Sequence, residues 1–162
     1  MNQYDVAQIC INGHLITSTV TTSPQRAKDF CDRCGGRTIS RCEECTAPIR
    51  GAYCYYRFGR LVTDSITRIP AFCQKCGKAY PWTESKLDAA RDLADQLGLD
   101  IPERTLLEKS IEEIIRDTPR AAAEAIKFKI IVEKTQPWAL PAFKEILIGV
   151  VSESVKKLIW PA

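Results

Sequence analysis

This sequence has no long apolar run, no recognisable N-terminal leader and only one histidine. Its longest uninterrupted apolar run, residues 146–151, falls far short of the roughly 20 residues that a membrane-spanning helix needs. The first residues show neither a basic stretch nor a long apolar run before a cleavage site. We therefore expect no transmembrane helix, no membrane association, no signal peptide and a cytoplasmic location. The one histidine, His14, is the only imidazole available to a metal or an active site.

Length and charge set further limits. The 162 residues, 18.2 kDa in mass, suffice for one ordinary domain or two small ones with a modest core. Residues 1–82 carry 11 Lys+Arg and 6 Asp+Glu, a formal charge of +5, whereas residues 83–162 carry 12 and 14, a formal charge of −2. The basic groups, which could attract nucleic acid, are therefore in excess only in the first half.

The first half also holds four short pairs of cysteine and histidine. In a reducing compartment such pairs are more often metal ligands than disulfides, and each has the spacing at which one tight turn offers two ligands to one ion. Four pairs make two tetrahedral zinc sites, so we predict two Zn²⁺ per chain. The pairs are Cys10 with His14, Cys31 with Cys34, Cys42 with Cys45, and Cys73 with Cys76.

The four pairs can combine into two sites in three ways. We favour sequential pairing, in which segments of 16 residues (15–30) and 27 residues (46–72) connect the pairs of each site. Loop-closure entropy changes slowly with length, so interleaved and nested pairings stay open. Glycine follows the second cysteine in the turns at Cys34 and Cys76, but Thr46 follows Cys45, which makes the geometry of that turn uncertain.

The ligand sets predict a structural metal and no enzymatic activity. A catalytic zinc usually keeps an open position for water, whereas each predicted set already has four protein ligands. Iron in the all-cysteine site is the alternative, because such turns also suit iron. If seven thiolates bind two zinc ions, the formal charge of residues 1–82 falls from +5 to +2, which weakens the case for nucleic-acid binding.

Cys54 is the one cysteine outside the pairs. We predict a strand at 49–58, a turn at Gly59 and a second extended stretch at 60–69. In this strand Cys54 shares a face with Tyr56 and Phe58, which favours a small buried apolar residue over a reactive thiol. A strand pair closed by zinc is typical of a zinc ribbon.

The second half has the apolar periodicity of about four helices. The first enters at Pro81–Glu84 with Thr83 as its N-cap, the second begins near Asp100, the third begins at Thr118–Pro119, and the fourth spans about 142–159. We expect the following residues to point inward: Leu87, Ala90, Ala94 and Leu97; Leu107, Ile111, Ile114 and Ile115; Ala122, Ala125, Ile126 and Ile130; and Phe143, Ile146, Leu147, Val150, Val151, Val155, Leu158 and Ile159.

Together these patterns predict a small metal-bound α+β fold. A double zinc-ribbon region with short antiparallel strands occupies residues 1–82, and a helical region occupies 83–162. The helical stripes are primarily a helix-on-helix core, and the last helix could also serve a protein partner or self-association. The alternative is binding of RNA or single-stranded DNA by the aromatic stretch 53–60 with its arginines, which are Arg50, Arg57, Arg60 and Arg68.

Six stretches of the chain form recognisable motifs. They are 4–14 (YDVAQICINGH), the FCxxCG turn at 30–35, 48–51 (PIRG), 70–77 (PAFCxxCG), 117–120 (DTPR) and 151–157 (VSESVKK). Together they resemble an uncharacterised bacterial family, the domain of unknown function 2321 (DUF2321). This resemblance covers most of the chain and implies a bacterial cytosolic zinc-ribbon protein with an attached helical segment. The family supplies no activity to carry over.

Overall fold

The computed structural model describes residues 3–66 and 68–161, which divide into two compact units. Unit 1 is Met1–Glu84 and unit 2 is Ser85–Ala162. Unit 1 holds the strands and all eight predicted metal ligands, and unit 2 is helical. No helix within the described residues is long and apolar enough to span a membrane.

Two small antiparallel sheets of three strands each make up unit 1. The strands pair in the orders β1-β5-β6 and β3-β2-β4. The predicted hairpin forms between β5 and β6, but its second strand ends earlier than expected. The strands are β1 (Gln3–Val6), β2 (Gln8–Cys10), β3 (Leu15–Thr17), β4 (Thr38–Ile39), β5 (Arg50–Arg57) and β6 (Arg60–Asp64).

A compact apolar cluster joins the sheets to the cysteine turns. Trp82 is 2% exposed, stacks on Tyr80 with ring centroids 4.6 Å apart, and donates a hydrogen bond from Nε1 to the carbonyl oxygen of Pro70. Two cysteine side chains belong to the same cluster, so the core of unit 1 is continuous with its cysteine turns. The buried members are Ala7, Ile9, Cys42, Ala47, Ile49, Cys73, Tyr80 and Trp82.

The described residues form five α-helices where about four helices were predicted, because the last predicted helix is divided in two. Ser152 begins the final helix: its hydroxyl accepts a hydrogen bond from the N–H of Val155 and donates one to Asp117. The small α+β fold class predicted from the sequence is confirmed. The helices are α1 (Pro81–Asp95), α2 (Ile101–Arg116), α3 (Ala121–Glu133), α4 (Ala139–Leu147) and α5 (Glu153–Ile159).

The predicted N-cap of α1 is wrong. The helix begins at Pro81, two residues before Thr83. The Thr83 hydroxyl instead donates a hydrogen bond of 2.8 Å to the carbonyl oxygen of Ala71. A buried hydroxyl needs a hydrogen-bond partner. The carbonyl of Ala71, just before the Cys73–Cys76 turn, is that partner for Thr83, which lies within the first turn of the helix.

Helix α2 follows the sequence prediction closely. Asp100 caps it, since its carboxylate accepts a hydrogen bond of 2.8 Å from the N–H of Glu103. Its buried apolar side chains are the four that the periodicity indicated, namely Leu107, Ile111, Ile114 and Ile115.

The inward face of α3 differs from the prediction. Ile126 and Ile130 are 51% and 48% exposed, and Ala122 is exposed too. The buried face instead carries Phe128 and Val132, both fully buried. Because α3 has apolar residues on more than one face, its periodicity alone does not fix which one is buried.

The buried face of α3 also carries a carboxylate. Glu124 accepts hydrogen bonds of 2.7 Å from Lys127 Nζ and 2.8 Å from the hydroxyl of Ser110. The side-chain hydrogen bond from Lys127, followed by the one from Ser110, holds the pKa of Glu124 below its ordinary value.

The remaining predicted core positions are mostly buried. In α1 these include Ala90, Ala94 and the nearby Leu97, while Leu87 is half-buried. The exception near the end of the chain is Leu158, which is 40% exposed.

Candidate metal centres

The first cluster forms where a tight turn between β2 and β3 meets a second turn at residues 30–37. The turn is closed by hydrogen bonds from the N–H of Cys10 to the carbonyl of His14 and from the N–H of Gly13 to the carbonyl of Cys10. Gly13 has φ +85°, a conformation that residues with a side chain rarely adopt. The turn therefore presents Cys10 and His14 to the same point.

Within this cluster the donor atoms are spaced like the corners of a tetrahedron. The Sγ atoms of Cys10 and Cys34 are 3.8 Å apart, and His14 Nδ1 is 3.5 Å from Cys10 Sγ and 3.6 Å from Cys31 Sγ. Bond lengths of about 2.3 Å for Zn–S and about 2.0 Å for Zn–N give tetrahedral edges of about 3.8 Å and about 3.5 Å. The four donors fit one zinc ion, with His14 contributing Nδ1.

The second cluster shows the same spacing with four sulfurs. Cys42 Sγ lies 3.8 Å from Cys76 Sγ, and Cys45 Sγ lies 3.6 Å from Cys73 Sγ. A disulfide would bring two sulfurs to about 2.05 Å, and all these cysteines are free. In each cluster the donor atoms lie within 4.8 Å of one another.

The clusters join the pairs in sequential order. The first pair meets the second, and the third meets the fourth, which is the pairing that the sequence favoured over the interleaved and nested arrangements. Among the described residues these two groups could each hold a metal ion: Cys10, His14, Cys31 and Cys34; and Cys42, Cys45, Cys73 and Cys76.

Three of the four ligand pairs sit in one repeated turn. In each repeat the residues flanking the turn form an antiparallel bridge: Phe30 with Arg37, Arg41 with Pro48, and Phe72 with Ala79. The residue after the second cysteine donates its N–H to the carbonyl of the first, at 2.7 to 2.9 Å. The same eight-residue unit therefore presents two sulfurs three times.

Thr46 preserves this turn although it is not glycine. It has φ +58°, beside +68° and +72° for Gly35 and Gly77 at the equivalent positions. The left-handed conformation costs a residue with a side chain about 1–2 kcal/mol. The departure in sequence therefore adds strain to the turn but leaves its geometry intact.

N–H groups surround the sulfurs and favour their thiolate forms. The side chain of Asn12 donates to Cys34 Sγ at 3.2 Å, which lowers the pKa of Cys34 to about 6. Burial raises the pKa of Cys73, but the N–H groups of Cys76 and Lys75, together with hydrogen bonds to the Cys45 and Cys76 side chains, outweigh it and bring the value to about 6. Such hydrogen bonds orient metal ligands and spread their charge.

Crowding acts in the opposite direction on Cys76. The N–H of Lys78 lowers the pKa of Cys76, yet burial and the neighbouring sulfurs together raise it to about 12. Four sulfurs this close cannot all ionise without a compensating cation. The donor chemistry of the cluster therefore fits a divalent ion.

Cys54 lies apart from both clusters, in β5. Its side chain is 3% exposed, and burial, with a smaller contribution from the charge of Asp5, raises its pKa. The prediction of a small buried residue is confirmed. Asn12 is the site residue that sequence reasoning missed, and its position inside the Cys10–His14 turn was the available signal.

Comparison with known proteins identifies a family. No curated protein and no solved structure matches the chain. The match is to a family described as an uncharacterized protein conserved in bacteria, over residues 3–159. This confirms the resemblance seen in the sequence, and the chain belongs to the DUF2321 family.

Proposed function

We propose that both clusters bind Zn²⁺, two ions per chain, and that the ions are structural. The main supporting observation is that the S···S and S···N separations, 3.5 to 3.8 Å, match the edge lengths of a zinc coordination tetrahedron. The proposed ligands are Cys10, His14, Cys31 and Cys34 for the first ion, and Cys42, Cys45, Cys73 and Cys76 for the second.

A structural role follows from the number of protein donors. Each cluster supplies four, which completes a tetrahedron and leaves no position for a substrate or an activated water. The ion would neutralise the crowded thiolates and hold the repeated turns together. We therefore propose a non-enzymatic, cytoplasmic protein whose folded unit 1 depends on its metal.

Native mass spectrometry of protein purified without chelator tests this proposal. We expect two zinc ions per chain, because there are two complete donor sets. The mass of the bound metal also distinguishes zinc from iron, which is the alternative for the all-cysteine site. Cys76→Ser or Cys34→Ser should lose one zinc, whereas Cys54→Ser, the matched control outside the clusters, should keep both. A folded Cys76→Ser variant that retains two zinc ions would contradict the ligand assignment.

The helical unit is the proposed interaction or oligomerisation module. The supporting observation is that Ile126 and Ile130, one turn apart on α3, are about half exposed. Exposed apolar side chains that adjoin one another are typical of interaction surfaces. The same mass spectrum reports subunit number, and Ile130→Glu should dissociate any oligomer or partner complex that uses this surface while leaving the zinc content unchanged.

Binding of nucleic acid by unit 1 is the second candidate. The observation that favours it is a like-charge pair: Arg57 and Arg60 lie directly opposite each other in the β5–β6 hairpin, and both are exposed. Like charges directly opposite on neighbouring strands are destabilising, and an anionic ligand would relieve the repulsion. Retention of RNA or single-stranded DNA that weakens steeply with salt would support this candidate.

A further inference from the structure

One face of the β1-β5-β6 sheet carries a row of tyrosine rings with arginines at both ends. Tyr4 and Tyr53 are cross-strand partners with ring centroids 5.0 Å apart, and the ring of Tyr55 follows at 5.9 Å from that of Tyr53. We call this the tyrosine face. Its members are Arg50, Tyr4, Tyr53, Tyr55, Arg57 and Arg60.

A β-bulge places Arg50 on this face. Between their paired positions β1 advances two residues, from Tyr4 to Val6, while β5 covers three, from Tyr53 to Arg50. Because side chains alternate along a strand, the extra residue moves Arg50 to the side of the tyrosines. Its guanidinium carbon lies 3.9 Å from the centroid of the Tyr4 ring.

The bulge depends on glycine at position 51. A Cβ atom there would lie 2.3 Å from the carbonyl oxygen of Ser18 and 2.7 Å from the carbonyl carbon of Val6. The backbone of β5 is therefore held tightly against its neighbours at this point. The tyrosine face is fixed by the sheet rather than by a loose loop.

The tyrosine face carries an excess of positive charge. Within residues 3–66 and 68–161, no salt bridge involves Arg50, Arg57 or Arg60. Among the described residues, Asp64, opposite Tyr53, is the one carboxylate at a paired strand position on this side. Three guanidinium groups against one carboxylate leave an excess of positive charge along the row of rings.

We propose that the tyrosine face binds single-stranded nucleic acid, with bases stacked on the tyrosines and phosphates held by the arginines. This inference rests on the second candidate function and specifies its site. From Arg50 to Arg57 the strand covers about 23 Å, a length suited to the two or three bases that aromatic residues on other sheets stack.

The chemistry of the face favours a single strand over a duplex or an acidic peptide. Unpaired bases expose the ring faces that tyrosines can stack on, whereas in a duplex these faces are stacked on neighbouring bases and only base edges and the backbone are accessible. An acidic peptide would neutralise the arginines but leave the tyrosines without a partner. A row of rings flanked by cations matches the two parts of a nucleotide, the base and the phosphate.

Fluorescence anisotropy of the zinc-loaded full chain with labelled oligouridylate of about eight nucleotides tests the proposal. Three phosphate contacts predict a salt slope near −2, so binding should weaken roughly 20-fold between about 50 mM and about 200 mM salt. A duplex of equal length should bind at least tenfold more weakly, and polyglutamate should compete poorly.

Variants separate stacking from charge. Tyr55→Leu should weaken binding about tenfold without changing the salt slope, and Tyr55→Phe should bind as the wild type does. Arg57→Gln/Arg60→Gln should reduce the salt effect to about threefold. Tyr56→Leu, on the opposite side of β5, and the charge-matched Arg26→Gln/Lys134→Gln should bind normally.

The outcomes distinguish the two levels of the proposal. Absence of binding at low salt to any nucleic acid refutes the second candidate function and this site with it. Normal binding by Tyr55→Leu, or equal losses in the two charge variants, refutes the tyrosine face while nucleic-acid binding stands. Equal affinity for the duplex, or strong competition by polyglutamate, refutes recognition of unpaired bases. Zinc content and circular dichroism of each variant show that it is folded.

Discussion

Replacing Phe128 with alanine should strongly destabilise the helical unit. The Phe128 ring is fully buried and meets the Phe143 ring edge-on, with centroids 5.1 Å apart at an interplanar angle of 80°. Burial of the side chain contributes about 2–3 kcal/mol and the aromatic contact about 1 kcal/mol. The sum, about 3–4 kcal/mol, agrees with the cost of about 3–5 kcal/mol usual for Phe→Ala in a core.

Ile126→Ala supplies the matched control on the same helix. Its side chain is half exposed, and alanine has the higher helix propensity, so its free energy of unfolding should change by no more than about 0.5 kcal/mol. Urea titration followed by circular dichroism at the helix minimum measures both variants. If Ile126→Ala costs more than Phe128→Ala, the buried face of α3 has been assigned incorrectly.

Two further predictions concern a backbone contact and a buried carboxylate. Gly51→Ala should destabilise unit 1 by about 2 kcal/mol or more, because its Cβ would meet backbone atoms. The control Gly59→Ala, whose Cβ meets nothing within 4 Å, should lose only about 1 kcal/mol, the cost of its positive φ. Equal losses of stability in thermal denaturation would refute the backbone contact at Gly51. Since the folded pKa of Glu124 is lowered, its stabilisation is complete above the ordinary pKa of glutamate and disappears as the pH falls through the lowered value. Glu124→Gln should therefore unfold about 1.5–3 kcal/mol more easily at pH 7, with the gap to wild type closing in acid; a gap independent of pH in urea titrations would oppose this reasoning.

The cysteine turns could be predicted from sequence because their chemistry is local. Two cysteines separated by two residues need only one turn to share an ion, so spacing alone identifies the turn. The pairing of the turns was less determined, since loop entropy barely distinguishes the alternatives. The structure resolves it through the sheet, where β2 places Cys10 beside the turn that follows Lys28.

Where several apolar patterns compete, sequence is a poorer guide. In α3 both Ile126 and Phe128 belong to apolar rows, and the choice between them depends on Phe143, fifteen residues further along the chain. The bulge that turns Arg50 toward Tyr4 likewise depends on the pairing of β1 with β5. Such long-range contacts leave no signature in a local window.

The sequential order of the clusters also bears on how the chain matures on the ribosome. The first donor set ends at Cys34, and the second begins only at Cys42. The two ligand sets therefore do not overlap along the chain, and a nascent polypeptide could capture one ion before the second set has emerged. Since synthesis proceeds at about 5–20 residues per second, metal acquisition would follow the direction of translation, and each ion would close its own loop.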